Sequence, residues 1–369
     1  MIGRSLAAAL AIVALLAGCA ASKPKPQPLE PLTPKIGGVP AWNHRIEGVQ
    51  FPLAVAVVKG MFVVAGNEGT VLALDAASGR EVWRGSAGAK LSAGVGSDGR
   101  FAAVVTRDGE LVVFDQGAVK WRKPLGARVT TAPLVAGERV FVVGVDRAVQ
   151  AFDALDGRKL WIAQRPGDPL TLAQSGVLSA FKDTLVAGQG PRMAGLDPLT
   201  GEVRWEAVVG SPRGANEIER LADLVGPATR VGDVMCARSF QAAVGCVDAQ
   251  RGVTVWSKNI GGTDAVAADA EFVFAADASD RITAWKSNGE VAWTSDKLLY
   301  RSLSAPLSVG KTVVFGDADG TLHLLARESG EALLRLTTDG SAIAAQPVAV
   351  GTVMMVVTRN GGLFAFRPQ

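Results

Sequence analysis

Apolar and polar residues alternate in short stretches along most of the chain. The pattern is clearest in residues 61–84, MFVVAGNEGTVLALDAASGREVWR. An apolar run from Met61 to Ala65 reaches a turn at Asn67–Gly69, an alternating run from Thr70 to Asp75 reaches a second glycine turn, and a third short run carries Trp83. Period-two alternation bounded by such turns is typical of antiparallel strands. The stretch therefore predicts a meander of strands.

The same unit recurs along the chain at a nearly constant interval. The spacings between successive tryptophans from Trp83 onwards are 38, 40, 44, 51 and 37 residues, and Leu334 takes the equivalent place 41 residues later. A signature repeated about every 40 residues, with about four strands per repeat, is typical of a propeller blade. A sandwich or barrel would also alternate, but it would not repeat a tryptophan in phase. Each tryptophan follows a glycine by four residues: Gly79 and Trp83, Gly117 and Trp121, Gly157 and Trp161, Gly201 and Trp205, Gly252 and Trp256, Gly289 and Trp293.

The two ends of the chain predict how the ring closes. The last two strands, Val353 to Val357 and Gly362 to Arg367, end before the strand that should complete their blade. Trp42 stands 41 residues before Trp83 with no earlier strands to pair with. We therefore predict an all-β, eight-bladed β-propeller of four-stranded antiparallel blades. Its N-terminal strand closes the C-terminal blade and covers two sheet edges that would otherwise be free to pair with other chains.

The first residues predict export and lipidation. Arg4 and the apolar run that ends at Leu16 are typical of a secretory signal, too short for a spanning helix, and we assign residues 1–18 to it. Leu16-Ala17-Gly18-Cys19 looks like the bacterial lipobox, in which Cys19 becomes the lipidated first residue of a lipoprotein. The alternative is an ordinary cleavage site with an incidental cysteine.

Residues 19–38 are rich in proline and precede the propeller, which we assign to residues 39–369. Five prolines between Ala20 and Lys35 predict an extended tether with a reach of up to about 50 Å. Ala20, rather than an acidic residue, follows the cysteine, and by resemblance to bacterial sorting rules this favours the outer membrane. We therefore expect a protein anchored by lipid to the periplasmic face of the outer membrane of a Gram-negative bacterium.

Charge and motifs point away from catalysis. The net charge is +3, with acids and bases interleaved and no basic stripe for nucleic acid. The two histidines, His44 and His323, fall in unrelated repeats with no metal-ligand spacing around them. The sequence contains no Gly-x-Ser-x-Gly elbow, phosphate loop or metalloprotease motif. We predict no catalytic residues, no metal site and no cofactor.

Two further cysteines, Cys236 and Cys246, flank a turn near Gln241. We place them on the first two strands of the fifth blade, facing each other across the hairpin. An oxidising periplasm permits a disulfide between them, and two buried thiols are the alternative.

Two segments depart from the repeat, and on a repeat scaffold such loops carry function. The longest interval, 51 residues, contains the charged stretch from Glu217 to Asp223, which has no counterpart in the other units. The connection before the fourth blade carries Leu170 and Leu172. The alternative interpretation is an ordinary solvated loop and two core leucines.

Stretches such as VLALDAASGREVW and VQAFDALDGRKLW resemble the repeat of quinoprotein (PQQ) propellers. That resemblance implies that each tryptophan docks between neighbouring blades, and it makes a periplasmic PQQ-dependent dehydrogenase an alternative function. Those enzymes build their cofactor pocket with adjacent cysteines, a stacking tryptophan and a calcium site. This sequence has no adjacent cysteines, and Trp285 is its only tryptophan outside the repeat phase.

The whole chain, from signal to last repeat, also resembles the propeller lipoproteins of the outer-membrane β-barrel assembly machinery. The most specific match is Glu217-Ile218-Glu219-Arg220-Leu221-Ala222-Asp223. The resemblance implies a non-catalytic scaffold that docks on the periplasmic POTRA domains of BamA, joins other subunits, and assists folding and insertion of β-barrel proteins. Nascent barrels are a further candidate partner, and a scaffold of another envelope complex is a further alternative.

Family positions place the docking site at Leu170, Leu172 and Asp223. Ala173 and Val225 depart from the family pattern. We therefore expect the site to depend more heavily on the charged residues of the long interval. These residues are Glu217, Glu219 and Arg220, with Arg213 as an alternative.

Overall fold

The computed structural model describes residues 24–164, 171–212 and 214–369. All regular elements of this part are β-strands, and they form eight four-stranded antiparallel sheets. The predicted eight-bladed propeller is confirmed.

The first four blades follow one another along the chain after β1 (Gly38–Arg45), which belongs to the last blade. Blade one consists of β2 (Ala56–Val58), β3 (Met61–Ala65), β4 (Thr70–Asp75) and β5 (Glu81–Ser86). Blade two consists of β6 (Leu91–Ser97), β7 (Phe101–Thr106), β8 (Glu110–Asp115) and β9 (Ala118–Pro124). Blade three consists of β10 (Leu134–Ala136), β11 (Arg139–Val143), β12 (Val149–Asp153) and β13 (Lys159–Ala163). Blade four consists of β14 (Leu178–Phe181), β15 (Thr184–Gln189), β16 (Arg192–Leu196) and β17 (Val203–Val208).

The remaining blades continue in the same way. Blade five consists of β18 (Leu224–Val231), β19 (Val234–Ser239), β20 (Ala243–Asp248) and β21 (Val253–Lys258). Blade six consists of β22 (Ala267–Ala268), β23 (Phe272–Ala276), β24 (Ile282–Lys286) and β25 (Val291–Ser295). Blade seven consists of β26 (Leu307–Val309), β27 (Thr312–Gly316), β28 (Thr321–Ala326) and β29 (Ala332–Thr337). Blade eight combines β30 (Val348–Val350), β31 (Val353–Val357) and β32 (Gly362–Pro368) with β1.

Strand β1 closes the ring as predicted. It is the outer strand of blade eight and pairs antiparallel with β32, from Gly38 opposite Pro368 to Arg45 opposite Gly362. A single irregularity between Pro40 and Trp42 interrupts the ladder. The pairing covers the edges of both the first and the last strand, which would otherwise be free to pair with other chains.

The antiparallel order gives the propeller two distinct ends. Connections between blades and the turns between second and third strands lie at one end, which we call the connection face. The other turns of each blade lie at the opposite face. Loops that depart from the repeat therefore share one face of the disc, even when they are distant in sequence.

The hydrophobic core lies between the blades. Second and third strands are covered on both sides by neighbouring blades, so they are apolar along their length rather than alternating. All six residues of β7 are buried. The outer strand β9 of the same blade is exposed except for Trp121 and Lys123, which are half-buried.

The repeated tryptophans join each blade to the next. The Nε1 of Trp42 donates to the carbonyl of Ala76 at 2.9 Å, and that of Trp121 donates to Ala154 at 2.9 Å. A Cβ at Gly79 would lie 2.5 Å from the Trp42 ring, and Gly79 has a φ of +71°. The glycine is required because the ring packs against its backbone and because positive φ is strained in other residues. The inter-blade role that the repeat resemblance implies is confirmed.

Cys236 and Cys246 form a disulfide in the structure. They are directly opposite each other in the ladder between β19 and β20. These are the second and third strands of blade five, so the predicted placement on the first two strands is wrong by one strand. The cause is the irregular first strand, β18, which lies within the long interval and was not recognised.

The proline-rich segment does not extend freely. The amide of Gln27 donates to the carbonyl of Leu299 at 2.9 Å, and the amide of Lys35 donates to that of Leu333 at 2.9 Å. Residues 27–36, which we call the strap, therefore lie against blades six and seven. The predicted reach of about 50 Å is wrong, because it counted these residues as free chain.

Candidate functional site

The structure brings two of the predicted partner-binding residues together on the connection face. Leu172 lies in the connection between β13 and β14, and Asp223 lies at the end of the connection between β17 and β18. The amide of Leu172 donates to Oδ2 of Asp223 at 3.0 Å, although 51 residues separate them. Three predicted residues, Cys19, Leu170 and Arg213, lie outside the described part of the chain.

Asp223 holds the two connections in place. Its Oδ1 contacts Nη2 of Arg147 at 3.2 Å, and the two side chains are only 15% and 17% exposed. Its carbonyl accepts the amide of Phe240 at 2.9 Å. Charge-assisted hydrogen bonds in partly buried surroundings are stronger than exposed ones. Both carboxylate oxygens of Asp223 are therefore engaged by other parts of the protein. Asp223 shapes the surface indirectly, because it fixes the loop that carries Leu172.

Arg147 was not identified from the sequence, although a signal was present. It lies in the turn between β11 and β12, where its amide donates to the carbonyl of Gly144 at 2.9 Å and its φ is +63°. Blades one and seven have Gly69 and Gly320 at the corresponding position, both with positive φ. A residue other than glycine at a turn that favours glycine points to a specific role for its side chain.

Leu172 is half-buried, so it belongs neither to the core nor to the fully exposed surface. Beside it, Oγ1 of Thr171 donates to the carbonyl of Val145 at 2.9 Å. Leu172, Arg147 and Asp223 contribute to the wall of a small cavity of about 60 Å³. The loop is thus held by polar contacts and leaves part of an apolar side chain accessible.

The charged stretch forms one helical turn on the same face. Oδ1 of Asn216 accepts the amide of Glu219 at 2.9 Å, and Oε2 of Glu219 accepts the amide of Ala215 at 2.7 Å. This reciprocal arrangement resembles a capping box. The carbonyl of Ala222, at the end of the turn, accepts a hydrogen bond from Oγ of Ser239 at 2.6 Å. Glu219 is thus used to build the turn.

The turn presents Glu217, Ile218 and Arg220 to solvent. Ile218 is 73% exposed, and it is the most exposed large apolar side chain in the described part of the chain. Ile218 was not among the binding residues predicted from the sequence, because charged residues dominate this stretch. The side chain has no role in the core, so it is accessible as an apolar contact for a partner. We call Leu172, Glu217, Ile218, Arg220 and Asp223 the loop patch.

A larger cavity of about 640 Å³ opens at the centre of the connection face. Asp264, Asp277 and Asp280 contribute to its wall, and burial raises the pKa of Asp264. Arg238, directly behind it, donates to the carbonyls of Asp264 and Ala276 at 2.6 Å each. Burial lowers the pKa of Arg238 to about 10. The guanidinium is thus committed to holding backbone together.

Trp285 and His323, the side chains most relevant to a cofactor or metal site, are both buried in the core. Trp285 is 2% exposed and packs on Trp256 with ring centroids 6.3 Å apart. His323 is buried in blade seven with its Nε2 3.0 Å from Oδ2 of Asp317. Within residues 24–164, 171–212 and 214–369, no three His, Cys, Asp or Glu side chains are grouped as metal ligands. In the same ranges, no helix has the length and apolar character needed to cross a bilayer.

The chain is similar to known proteins in sequence and in fold. The family model described as "Outer membrane protein assembly factor BamB" matches residues 67–295 and 286–369. The assembly factor BamB of Burkholderia pseudomallei is 35% identical over 370 residues, which cover 98% of this chain and 97% of that protein.

Solved structures share the fold. BamB from Moraxella catarrhalis superposes with a TM-score of 0.80 at 23% identity, covering 89% of this chain and 99% of that one. A quinohemoprotein alcohol dehydrogenase from Comamonas testosteroni gives 0.69 at 16% identity, covering 90% and 76%. At these identities the likeness concerns the fold alone. The family match and the full-length relative carry the assignment: this chain belongs to the BamB family of outer membrane protein assembly factors.

Proposed function

We propose that this protein is a non-catalytic lipoprotein scaffold on the periplasmic face of the outer membrane, where it docks on the POTRA domains of BamA and assists the assembly of β-barrel proteins. The support is family membership together with the loop patch. Two connections that depart from the repeat meet through Asp223 and place Leu172 and Ile218 on the connection face. Apolar anchors with a charged rim are what a small protein-binding hot spot requires.

The clamp of Arg147 and Asp223 gives the patch its rigidity. Both oxygens of Asp223 are engaged, one by a guanidinium and one by the backbone of the loop. A partner that binds a preorganised loop does not have to order it, so less binding free energy is lost. Asp223 thus supports docking by positioning Leu172, and Ile218 and Leu172 make the apolar contacts.

A pull-down from solubilised outer membranes tests the proposal. We expect wild-type protein to recover BamA and other assembly subunits, and Ile218→Ser or Leu172→Ala to reduce that recovery. Ile162→Ser is a matched control, because Ile162 is 52% exposed but lies on the outer strand of blade three. Equal recovery by all variants would contradict docking through the loop patch. Copurification of a quinone cofactor, with its absorbance, would instead support the dehydrogenase alternative.

Anchoring is tested separately. If Cys19 carries the lipid, Cys19→Ser abolishes incorporation of labelled palmitate and stable attachment to membranes. Palmitate incorporation at the wild-type level in this variant would contradict lipidation at Cys19.

A further inference from the structure

The strap crosses the outer edge of blade seven from one face of the propeller to the other. Its first backbone hydrogen bond joins Gln27 to Leu299 in the connection between blades six and seven, on the connection face. Its last joins Lys35 to Leu333 near the start of β29, at the opposite face. From there the chain enters β1. The strap therefore runs antiparallel to β29, along a sheet edge that would otherwise be free.

The sequence of the strap suits this position. A polyproline helix has three residues per turn, so residues three apart share one side. Leu29 and Leu32 are three apart, and they are the two half-buried residues between positions 24 and 35. Leu29 packs against the apolar cluster that contains Phe274 and Phe315. Three prolines at every third position of the strap cannot donate to a ladder, so they keep the segment from extending the sheet. They are Pro28, Pro31 and Pro34.

Arg301 fixes the strap at the connection face. Its side chain is 7% exposed, and its Nε donates to Oδ2 of Asp317 at 2.9 Å. Its Nη2 contacts Oδ2 of Asp319 at 2.7 Å, and its Nη1 donates to the carbonyl of Gln27 at 3.1 Å. A guanidinium held at two corners by carboxylates has its remaining donor aimed in a fixed direction. Here the carbonyl of Gln27 receives it.

Further contacts distribute the docking along the strap. Nη1 of Arg335 donates to the carbonyl of Glu30 at 2.7 Å. Two ion pairs add to this contact: Nζ of Lys297 lies 3.0 Å from Glu30, and Lys35 pairs with Glu331. The four side chains of these two ion pairs are each more than half exposed. Exposed ion pairs contribute little. Docking therefore rests on the buried guanidinium, the backbone hydrogen bonds and Leu29.

We propose that the outer edge of blade seven is a docking surface for the chain's own strap, with Arg301 as its positioning residue, and that docking leaves only a short leash between Cys19 and the propeller. Gln27 stands eight positions after Cys19, which allows at most about 27 Å of extended chain between them. The leash leaves the connection face beside the connection between blades six and seven. We therefore infer that this part of the connection face is held close to the lipid surface, an inference that rests on the lipidation of Cys19 proposed above.

Hydrogen exchange on the full-length protein tests the docking. In the wild type, we expect the amides of Gln27 and Lys35 to exchange at least tenfold more slowly than in an unstructured peptide of the same sequence. Leu29→Asp places a charge against the apolar cluster and should abolish this protection while leaving the propeller strands unchanged. Thr33→Ala, at an exposed position, is the control and should behave as wild type. Unprotected amides in the wild type, or full protection in Leu29→Asp, would overturn the proposal.

Arg301→Lys distinguishes positioning from general stability. Lysine can keep the ion pair with Asp317, but it lacks the planar fork that also reaches Gln27. We expect at least fivefold faster exchange at Gln27 and little change at Lys35, with the melting midpoint held near that of the wild type. Unchanged exchange at Gln27 would remove Arg301 from its role.

Trypsin release from membranes tests the short leash. Lys23 and Lys25 each precede a proline and resist trypsin, so Lys35–Ile36 is the cleavable bond before the propeller. We expect Leu29→Asp to release a fragment that begins at Ile36 at least tenfold faster than the wild type. Equal release rates would overturn the docked strap. Protein missing from the membrane pellet before trypsin is added would instead contradict lipidation, so the two failures are distinguishable.

Discussion

The blade junctions and the loop patch differ in how they relate to the repeat: the junctions use a contact that recurs from blade to blade, whereas the loop patch lies in loops that depart from the repeat. At the junctions one arrangement recurs, with a tryptophan packed on the glycine of the next blade, as in Trp42 on Gly79 and Trp121 on Gly157. In the loop patch each contact occurs once, as in the hydrogen bond from Leu172 to Asp223. The junctions hold the ring together, so changes there should lower stability. The loop patch has solvent on one side, so changes there should affect binding and spare the fold.

Deleting residues 39–50 should produce the largest effect, since it removes β1 and opens the ring. The deletion exposes the outer edge of β32 and removes Trp42, whose indole donates to the carbonyl of Ala76 in blade one. We expect a loss of cooperative unfolding and a melting midpoint lower by more than about 10 °C, since each kcal/mol shifts the midpoint by a few degrees. Trp42→Leu is the control. Blade seven naturally has Leu334 at the equivalent position of its outer strand, so we expect this variant to keep the ring closed. An unchanged midpoint in the deletion would contradict closure by β1.

A single junction tryptophan should cost less than the whole strand. Trp121 is half-buried, packs on Gly157 and Phe152, and donates to the carbonyl of Ala154. We expect Trp121→Ala to lower the free energy of unfolding by about 3 kcal/mol, measured by urea denaturation, with BamA binding per folded molecule unchanged. A binding defect larger than the stability defect would mean that a junction residue is part of the interface.

The contrast also explains what the sequence could and could not predict. Repeated features such as Gly79 and Trp83 could be predicted because every blade packs against its neighbour in the same way, so the same residues recur once per blade. The clamp between Arg147 and Asp223 was not visible, because it depends on the register of two loops that meet only in the closed ring. Arg147 left a trace only as a departure from the glycine of other blades.

The strap illustrates a second limit. Its proline content predicted an extended conformation, but the fate of an extended segment depends on what surface is available to it. Here the free edge of β29 and the aligned guanidinium of Arg301 receive it. Composition specifies the backbone conformation, whereas docking depends on residues more than 250 positions away.

In the loop patch, the apolar anchors should dominate binding. Losing an apolar anchor in a desolvated contact typically costs about 2 kcal/mol, or about thirtyfold in affinity. We expect Leu172→Ala to weaken BamA binding by about this factor, Asp223→Ala to weaken it similarly by releasing the loop, and Leu170→Ala with Leu172→Ala nearly to abolish it. Calorimetric binding and a melting curve on the same samples check this. A lower midpoint with intact binding would favour the core interpretation of these leucines.

The exposed charges of the loop patch should have the smallest effect. Glu217 and Arg220 are exposed, whereas Glu219 accepts the hydrogen bonds that close the helical turn. Rim charges act mainly on the association rate and are screened by salt, because they stay in contact with water. We therefore expect Glu217→Gln and Arg220→Gln each to change BamA affinity by less than about fivefold at low salt, which corresponds to about 1 kcal/mol, and to have no effect at high salt.

Glu219→Ala should behave differently from these two variants. Loss of the Glu219 hydrogen bonds loosens the turn that presents Ile218, and salt does not screen that loss. Association kinetics across a salt series separate the two cases. A salt-independent defect in Glu217→Gln, equal to that of Leu172→Ala, would mean that the charges rather than the apolar side chains carry the interface.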